Sequence, residues 1–123
     1  MTFGNHLVTF IGNLMVSYRR QQRDRIFRAI ADPTRRQILS LLRQRQQTVG
    51  EIAGNFSMSR PAISKHLRLL RSAGLVVSRR QGTATRCRLN ARPLRAVNEW
   101  LRDYETFWAE NLQGLKSYVE NIQ

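Results

Sequence analysis

A mainly helical fold with one small β-hairpin is what this sequence predicts, and three observations carry the prediction. Apolar residues recur at spacings of three and four through most of the chain, the mark of amphipathic helices. Capping residues stand in front of three such stretches: Asp32 before Pro33, Thr48 with Glu51 three residues on, and Ser59 before Arg60-Pro61. One alternating stretch, Leu75 to Leu89, is broken by Gln81-Gly82-Thr83, the composition of a tight turn.

At 123 residues and 41% apolar content, the chain supports one core and is too short for two domains of ordinary size. A lone cysteine excludes an intrachain disulfide framework and suits a reducing compartment. No run of about 18 apolar residues predicts a membrane span. Arg19 and Arg20 follow the first apolar stretch, the reverse of a secretory signal. The expectation is a cytoplasmic protein without integral membrane association.

The chain divides into an amphipathic extension (residues 1–21), a core (22–90) and a C-terminal helix (91–123). In the extension Phe3, Leu7, Phe10 or Ile11, Leu14 and Tyr18 recur at helical spacing. Asp32 caps a helix with Pro33 in its first turn that buries Ile38, Leu41 and Leu42, and the polar run Gln44 to Gln47 ends it. The Thr48–Glu51 capping box opens a short helix to about Phe56, with Ile52, Ala53 and Phe56 inward. Asn55 to Met58 turns the chain. Ser59 then caps a helix with Ile63, Leu67 and Leu70 on its core face, ending near Gly74. In the hairpin, alternation sends Leu75, Val77, Thr85, Cys87 and Leu89 inward and Arg86 and Arg88 outward. The whole reads as a winged helix-turn-helix, mainly α with a small β-hairpin wing, dimerising through its terminal helices.

Charge assigns a role to these elements. The net charge is +13, yet residues 91–123 hold five of the eight acids and are slightly negative. Between Ser59 and Asn90 stand eight basic residues and no Asp or Glu. A solvated surface normally mixes both signs, so this stretch is built for a polyanion. Opposite the core face of the capped helix project Arg60, Ser64, Lys65 and Arg68, placed to enter a major groove about 12 Å wide. Arg60, Ser64 and Lys65 are the expected base readers. Ser57 and Ser59 stand at the helix entrance, where free N–H groups favour phosphate. His66, beside the core face, is either a packed or backbone-bonded histidine or a phosphate contact. Arg79, Arg80, Thr83 and Arg86 form the wing contacts, adding affinity more than sequence choice.

The residues Asp32-Pro33-Thr34-Arg35-Arg36-Gln37-Ile38-Leu39, Ser59-Arg60-Pro61-Ala62-Ile63-Ser64-Lys65-His66-Leu67 and Ala73-Gly74-Leu75-Val76 occur in this order. With them the chain resembles the ArsR family of bacterial winged-helix repressors, over about residues 24–120. The resemblance implies a homodimer that binds double-stranded DNA at an approximately palindromic operator and blocks transcription, often of its own operon. It places DNA reading on residues 59–73 and dimerisation on residues 91–120 with the N-terminal helix. The family's thiolate sensors pair cysteines where this chain has Thr48 to Ala53, and its other sites use Asp and His on the last helix, where residues 91–123 carry no histidine. The expectation is therefore no metal and no cofactor, similar to the metal-free branch of simple or autoregulating repressors.

The C-terminal stretch points to a dimer by its own pattern. Leu94, Val97, Leu101, Tyr104, Trp108, Leu112 and Leu115 are the expected interface, within a stripe that Trp100, Phe107 and Val119 widen beyond what one small core covers. The competing reading folds this helix back on its own domain. Cys87 is read as a buried small hydrophobe, against a redox switch favoured by Arg86 and Arg88. No catalytic arrangement or glycine-rich phosphate loop is present, and enzyme function is not expected. Sequence-tolerant nucleoid or RNA binding, and membrane association through residues 1–20, stay open beside site-specific repression. Translation from Met15 also stays open.

Overall fold

A face of apolar side chains from four helices closes on one side of a small sheet, and this closure positions everything else. The computed structural model describes residues 2–122, which form two units, one ending at Pro93 and the other beginning at Leu94. In the first, helix α1 (Thr2–Ile30) is followed by α2 (Pro33–Gln44), strand β1 (Gln47–Thr48), α3 (Val49–Ala53), α4 (Arg60–Ser72), β2 (Val76–Gln81) and β3 (Ala84–Leu89). The second is α5 (Arg95–Ile122), entered by a 3-10 turn at Arg92–Leu94.

The core is made of Ile26 and Ala29 from α1, Ile38, Leu39 and Leu42 from α2, Ile52 from α3, and Ile63, Leu67, Leu70 and Ala73 from α4. Leu75, Val76 and Cys87 close it from the sheet side. Each large side chain fully removed from water contributes about 1.5–3 kcal/mol. In α2 Ile38 and Leu42 are buried as expected, Leu39 joins them, and Leu41 is only half-buried.

The three predicted caps are in place. The Asp32 carboxylate accepts from the Arg35 backbone N–H at 3.0 Å, Thr48 and Glu51 form the reciprocal capping box, and Ser59 Oγ accepts from Ala62 N–H at 3.3 Å. Helix α3 ends at Ala53 and not near Phe56, because Gly54 begins a run of turns in which Asn55 Nδ2 donates to Glu51 O at 2.9 Å. At the far end of α4, Gly74 takes φ 77° while its N–H reaches Arg71 O and Leu75 N–H reaches Leu70 O, both at 2.9 Å. This is a Schellman stop, which a Cβ at Gly74 would strain.

That stop also decides the parity of the wing. The strand starts at Val76, which is buried, and Val77 faces outward at 37% exposure, contrary to the expected inward Val77, while Leu75 is inward as expected. Leu75 is buried because it lies in the turn, outside the strand alternation. The β2–β3 register pairs Val76 with Leu89, Ser78 with Cys87 and Arg80 with Thr85; Val77 with Arg88, Arg79 with Arg86 and Gln81 with Ala84 share the other face. Gly82 at φ 60° opens the two-residue turn with Thr83. The sheet has a third strand that the sequence reading lacks: β1 pairs antiparallel with β3, matching Gln47 with Cys87, for the order β1-β3-β2. Gln47 is buried and its amide donates to Leu41 O at 3.3 Å.

Helix α1 runs without a break through residue 21. Residues 4–21 are exposed, and contact with the core begins with Gln22, Ile26 and Ala29. Leu7, Phe10, Ile11, Leu14 and Tyr18 are all at least half-exposed; the side chain of Phe3 lies outside the described set. Helix α5 buries no residue: Val97 and Leu101 are half-buried, as is Leu94 in the turn before it, and Tyr104, Trp108, Leu112 and Leu115 are exposed. Trp100 and Tyr104 meet edge to face at 5.2 Å. No described helix is long and apolar enough to cross a membrane.

Candidate nucleic-acid interface

Helix α4 owes its orientation to three buried side chains and two well-defined ends. With Ile63, Leu67 and Leu70 at 0–1% exposure, Arg60, Lys65 and Arg68 are left on the exposed side, while Ser64 is half-buried at its margin. Ser57 and Ser59 are exposed at the helix entrance. The Arg60 guanidinium leans over the first turn of α3, where a Cβ built on Gly50 would lie 3.7 Å from Arg60 Nη2. The carbonyls of the stop that follows α4 are also satisfied: Gln22 Nε2 donates to Ala73 O at 3.4 Å and Asn90 Nδ2 to Gly74 O at 3.0 Å.

A bond the sequence did not suggest ties α4 to the wing. Arg71 Nη1 donates to Ser78 Oγ at 3.2 Å, and the same hydroxyl lies 3.5 Å from Cys87 Sγ. Cys87 is wholly buried, as expected of a small hydrophobe. Along the sheet, Gln46, Val77, Ser78, Arg79, Gln81, Arg86 and Arg88 line a groove of about 320 Å³ with no carboxylate among them. Arg86 is half-buried and not fully outward, because its Nε donates to Gln81 Oε1 at 3.0 Å. Arg79, Arg80 and Thr83 are exposed.

The motif read only as a helix start builds a junction. Arg35 Nε donates to Ala29 O at 2.8 Å and Nη2 to Arg28 O at 3.0 Å, while Arg36 Nη1 donates to Ile30 O at 2.8 Å. Arg35 and Arg36, in the first turn of α2, thus satisfy carbonyls at the end of α1, where the helix dipole favours cations. Arg35 Nη1 also lies 3.2 Å from His66 Nδ1 on α4. His66 is half-buried and partnered by a side chain, the packed member of the two readings in part. The backbone N–H of Arg35 holds the Asp32 carboxyl below its ordinary value, with the guanidinium adding to the effect. The Glu51 carboxyl is likewise lowered, first by the hydrogen bond from Arg45 at 2.9 Å and then by Thr48. Among the described residues no group of three His, Cys, Asp or Glu side chains is placed to hold a metal ion.

A capped helix with an exposed basic face, joined by a side-chain bond to a three-stranded basic wing, defines a winged helix-turn-helix transcription regulator. The model of the bacterial regulatory protein arsR family matches residues 32–78, spanning α2 to the start of the wing. The transcriptional repressor SdpR of Bacillus subtilis is 39% identical over 79 residues, 64% of this chain and 88% of that protein. The crystal structure of the ArsR family transcriptional regulator RHA00566 superposes with a TM-score of 0.68 at 36% identity, covering 73% of this chain and 93% of the other. A homodimeric winged helix-turn-helix DNA-binding domain from Mycobacterium bovis, a possible ArsR-family regulator, gives a TM-score of 0.60 at 32% identity, covering 73% and 86%. The chain belongs to the ArsR family of DNA-binding transcriptional regulators. The expectation of a non-enzymatic protein agrees with that membership.

Proposed function

We propose that the chain is a homodimeric, sequence-specific repressor that binds an approximately palindromic operator in double-stranded DNA and controls its own or a neighbouring operon. One observation carries the reading. From Ser59 to Asn90 the exposed side chains of Arg60, Lys65, Arg68, Arg79, Arg80 and Arg88 stand on a frame of buried Ile63, Leu67, Leu70, Val76 and Cys87, with no carboxylate in the span. In this reading α4 enters the major groove, Arg60, Ser64 and Lys65 read base edges, and Ser57, Ser59 and Arg68 hold the backbone. Arg79, Arg80, Thr83 and Arg86 follow the backbone or the adjacent minor groove.

The exposed Tyr104, Trp108, Leu112 and Leu115, continued by the half-buried Leu94, Val97 and Leu101, join two copies, with residues 1–21 of α1 as a further dimerisation element. The Mycobacterium bovis domain is homodimeric, which supports that assembly, and SdpR is a transcriptional repressor, which supports repression. Regulation proceeds without a bound metal or cofactor.

Selection of bound sequences from a random duplex library at about 150 mM salt tests the reading. A two-fold-symmetric motif with half-sites about one helical turn apart is the expected result. Salt-sensitive binding without an enriched motif moves the protein to the sequence-tolerant nucleoid or RNA-binding class.

A further inference from the structure

Nδ1 of His66 lies 3.2 Å from Arg35 Nη1 and 3.9 Å from Asp32 Oδ2. A guanidinium has only donors, so the nitrogen it meets must carry a lone pair. The carboxylate that could draw a proton to Nδ1 is farther away, and its Oδ2 already accepts from the Arg35 backbone N–H at 3.0 Å. With Arg35 as the donor of this contact, Nδ1 is the acceptor and the ring hydrogen is left to Nε2. No buried side-chain nitrogen or oxygen among the described residues lacks a partner, and Nε2 has no bond to the protein, so Nε2–H opens to solvent.

Arg35 is itself held rigidly: three of its side-chain nitrogens are committed, to Ala29 O, Arg28 O and His66. From this geometry we infer that Arg35 is a positioning residue for DNA binding. It fixes the His66 tautomer and ring so that Nε2–H is presented beside the exposed face of α4 as a neutral donor to a backbone phosphate. The inference rests on the DNA-binding reading and adds to it a residue that touches no DNA. A neutral donor contributes hydrogen bonding without counterion release, so its loss weakens binding and leaves the salt slope unchanged.

The test begins on the unaltered protein. Long-range nitrogen–proton NMR at about pH 8, where imidazoles are ordinarily neutral, reports the His66 tautomer directly. Nε2–H is expected, and Nδ1–H overturns the inference. His66→Gln places an amide near the Nε2 position and should keep affinity within about twofold, whereas His66→Leu should lose about tenfold on operator and random duplex alike, the size of one hydrogen bond to a charged group. Arg35→Met should shift the tautomer signal and lose a similar factor, with little added loss in the double variant. Unchanged affinity of His66→Leu, or additive losses, overturns the inference while the operator reading stands. Failure of the unaltered protein to bind any duplex defeats the DNA-binding reading instead. Thermal melts of each variant separate these outcomes from unfolding.

Discussion

Arg79 and Arg86 stand directly opposite each other across β2 and β3, two like charges on the outer face of the wing. Such a pair opposes the hairpin that carries it, by roughly 0.2–1 kcal/mol relative to a neutral pair. Arg86 is restrained by Gln81, while Arg79 is exposed. A polyanion laid along this face relieves the repulsion.

Replacing Arg79 with Thr should therefore raise the melting temperature slightly at low salt while weakening binding to every duplex. The slope of log affinity against log salt should flatten by about 1 if Arg79 meets one phosphate. An unchanged slope would remove Arg79 from the interface.

Lys65→Ala leaves the buried frame of α4 untouched, because Lys65 lies opposite Ile63, Leu67 and Leu70. Operator affinity should fall by about 1–3 kcal/mol, with base preference relaxed at one position per half-site. Equal losses on operator and random DNA would reassign Lys65 to the backbone.

Asp32 links stability to acid. Its folded-state pKa is depressed, first by the Arg35 N–H, so its contribution is fully present above the unfolded-state value of about 3.9 and is lost as pH falls through the lower folded value. Asp32→Ala should cost about 1 kcal/mol at pH 7. Asp32→Asn should retain most of the cap and melt with a shallower pH dependence below about pH 4. An acid profile identical to that of the unaltered protein would show that Asp32 is not a coupled group.

Leu112 and Leu115 are 66% and 59% exposed, so glutamates there meet no core. The double variant should remain folded by circular dichroism and run as a monomer in light scattering, with operator affinity reduced. A persistent dimer would move the interface elsewhere.

Cys87 is wholly buried beside Ser78. A thiol reagent should label it only as fast as the protein unfolds, and DNA binding should be indifferent to mild oxidant. Rapid labelling of the native protein would restore the redox reading.

The sequence alone determined the features written in neighbouring residues: the caps at Asp32, Thr48 and Ser59, the core face of α4, the Gly82 turn and the acid-free span from Ser59 to Asn90. Each depends on atoms within about one helical turn or one hairpin, and residue spacing reports such geometry directly. Tertiary structure decided the rest. Val77 turned outward because the Gly74 stop moved the strand start by one residue, and a slip of one exchanges the faces of a sheet. Strand β1 is two residues long, too short to alternate, and exists only because β3 offers it a partner. Arg35 met His66 across 31 positions of chain because α2 and α4 pack on one core. No local pattern encodes a contact of that separation; it follows from how the apolar faces close, and only then does an arginine read as part of a helix start become the partner of a histidine on α4.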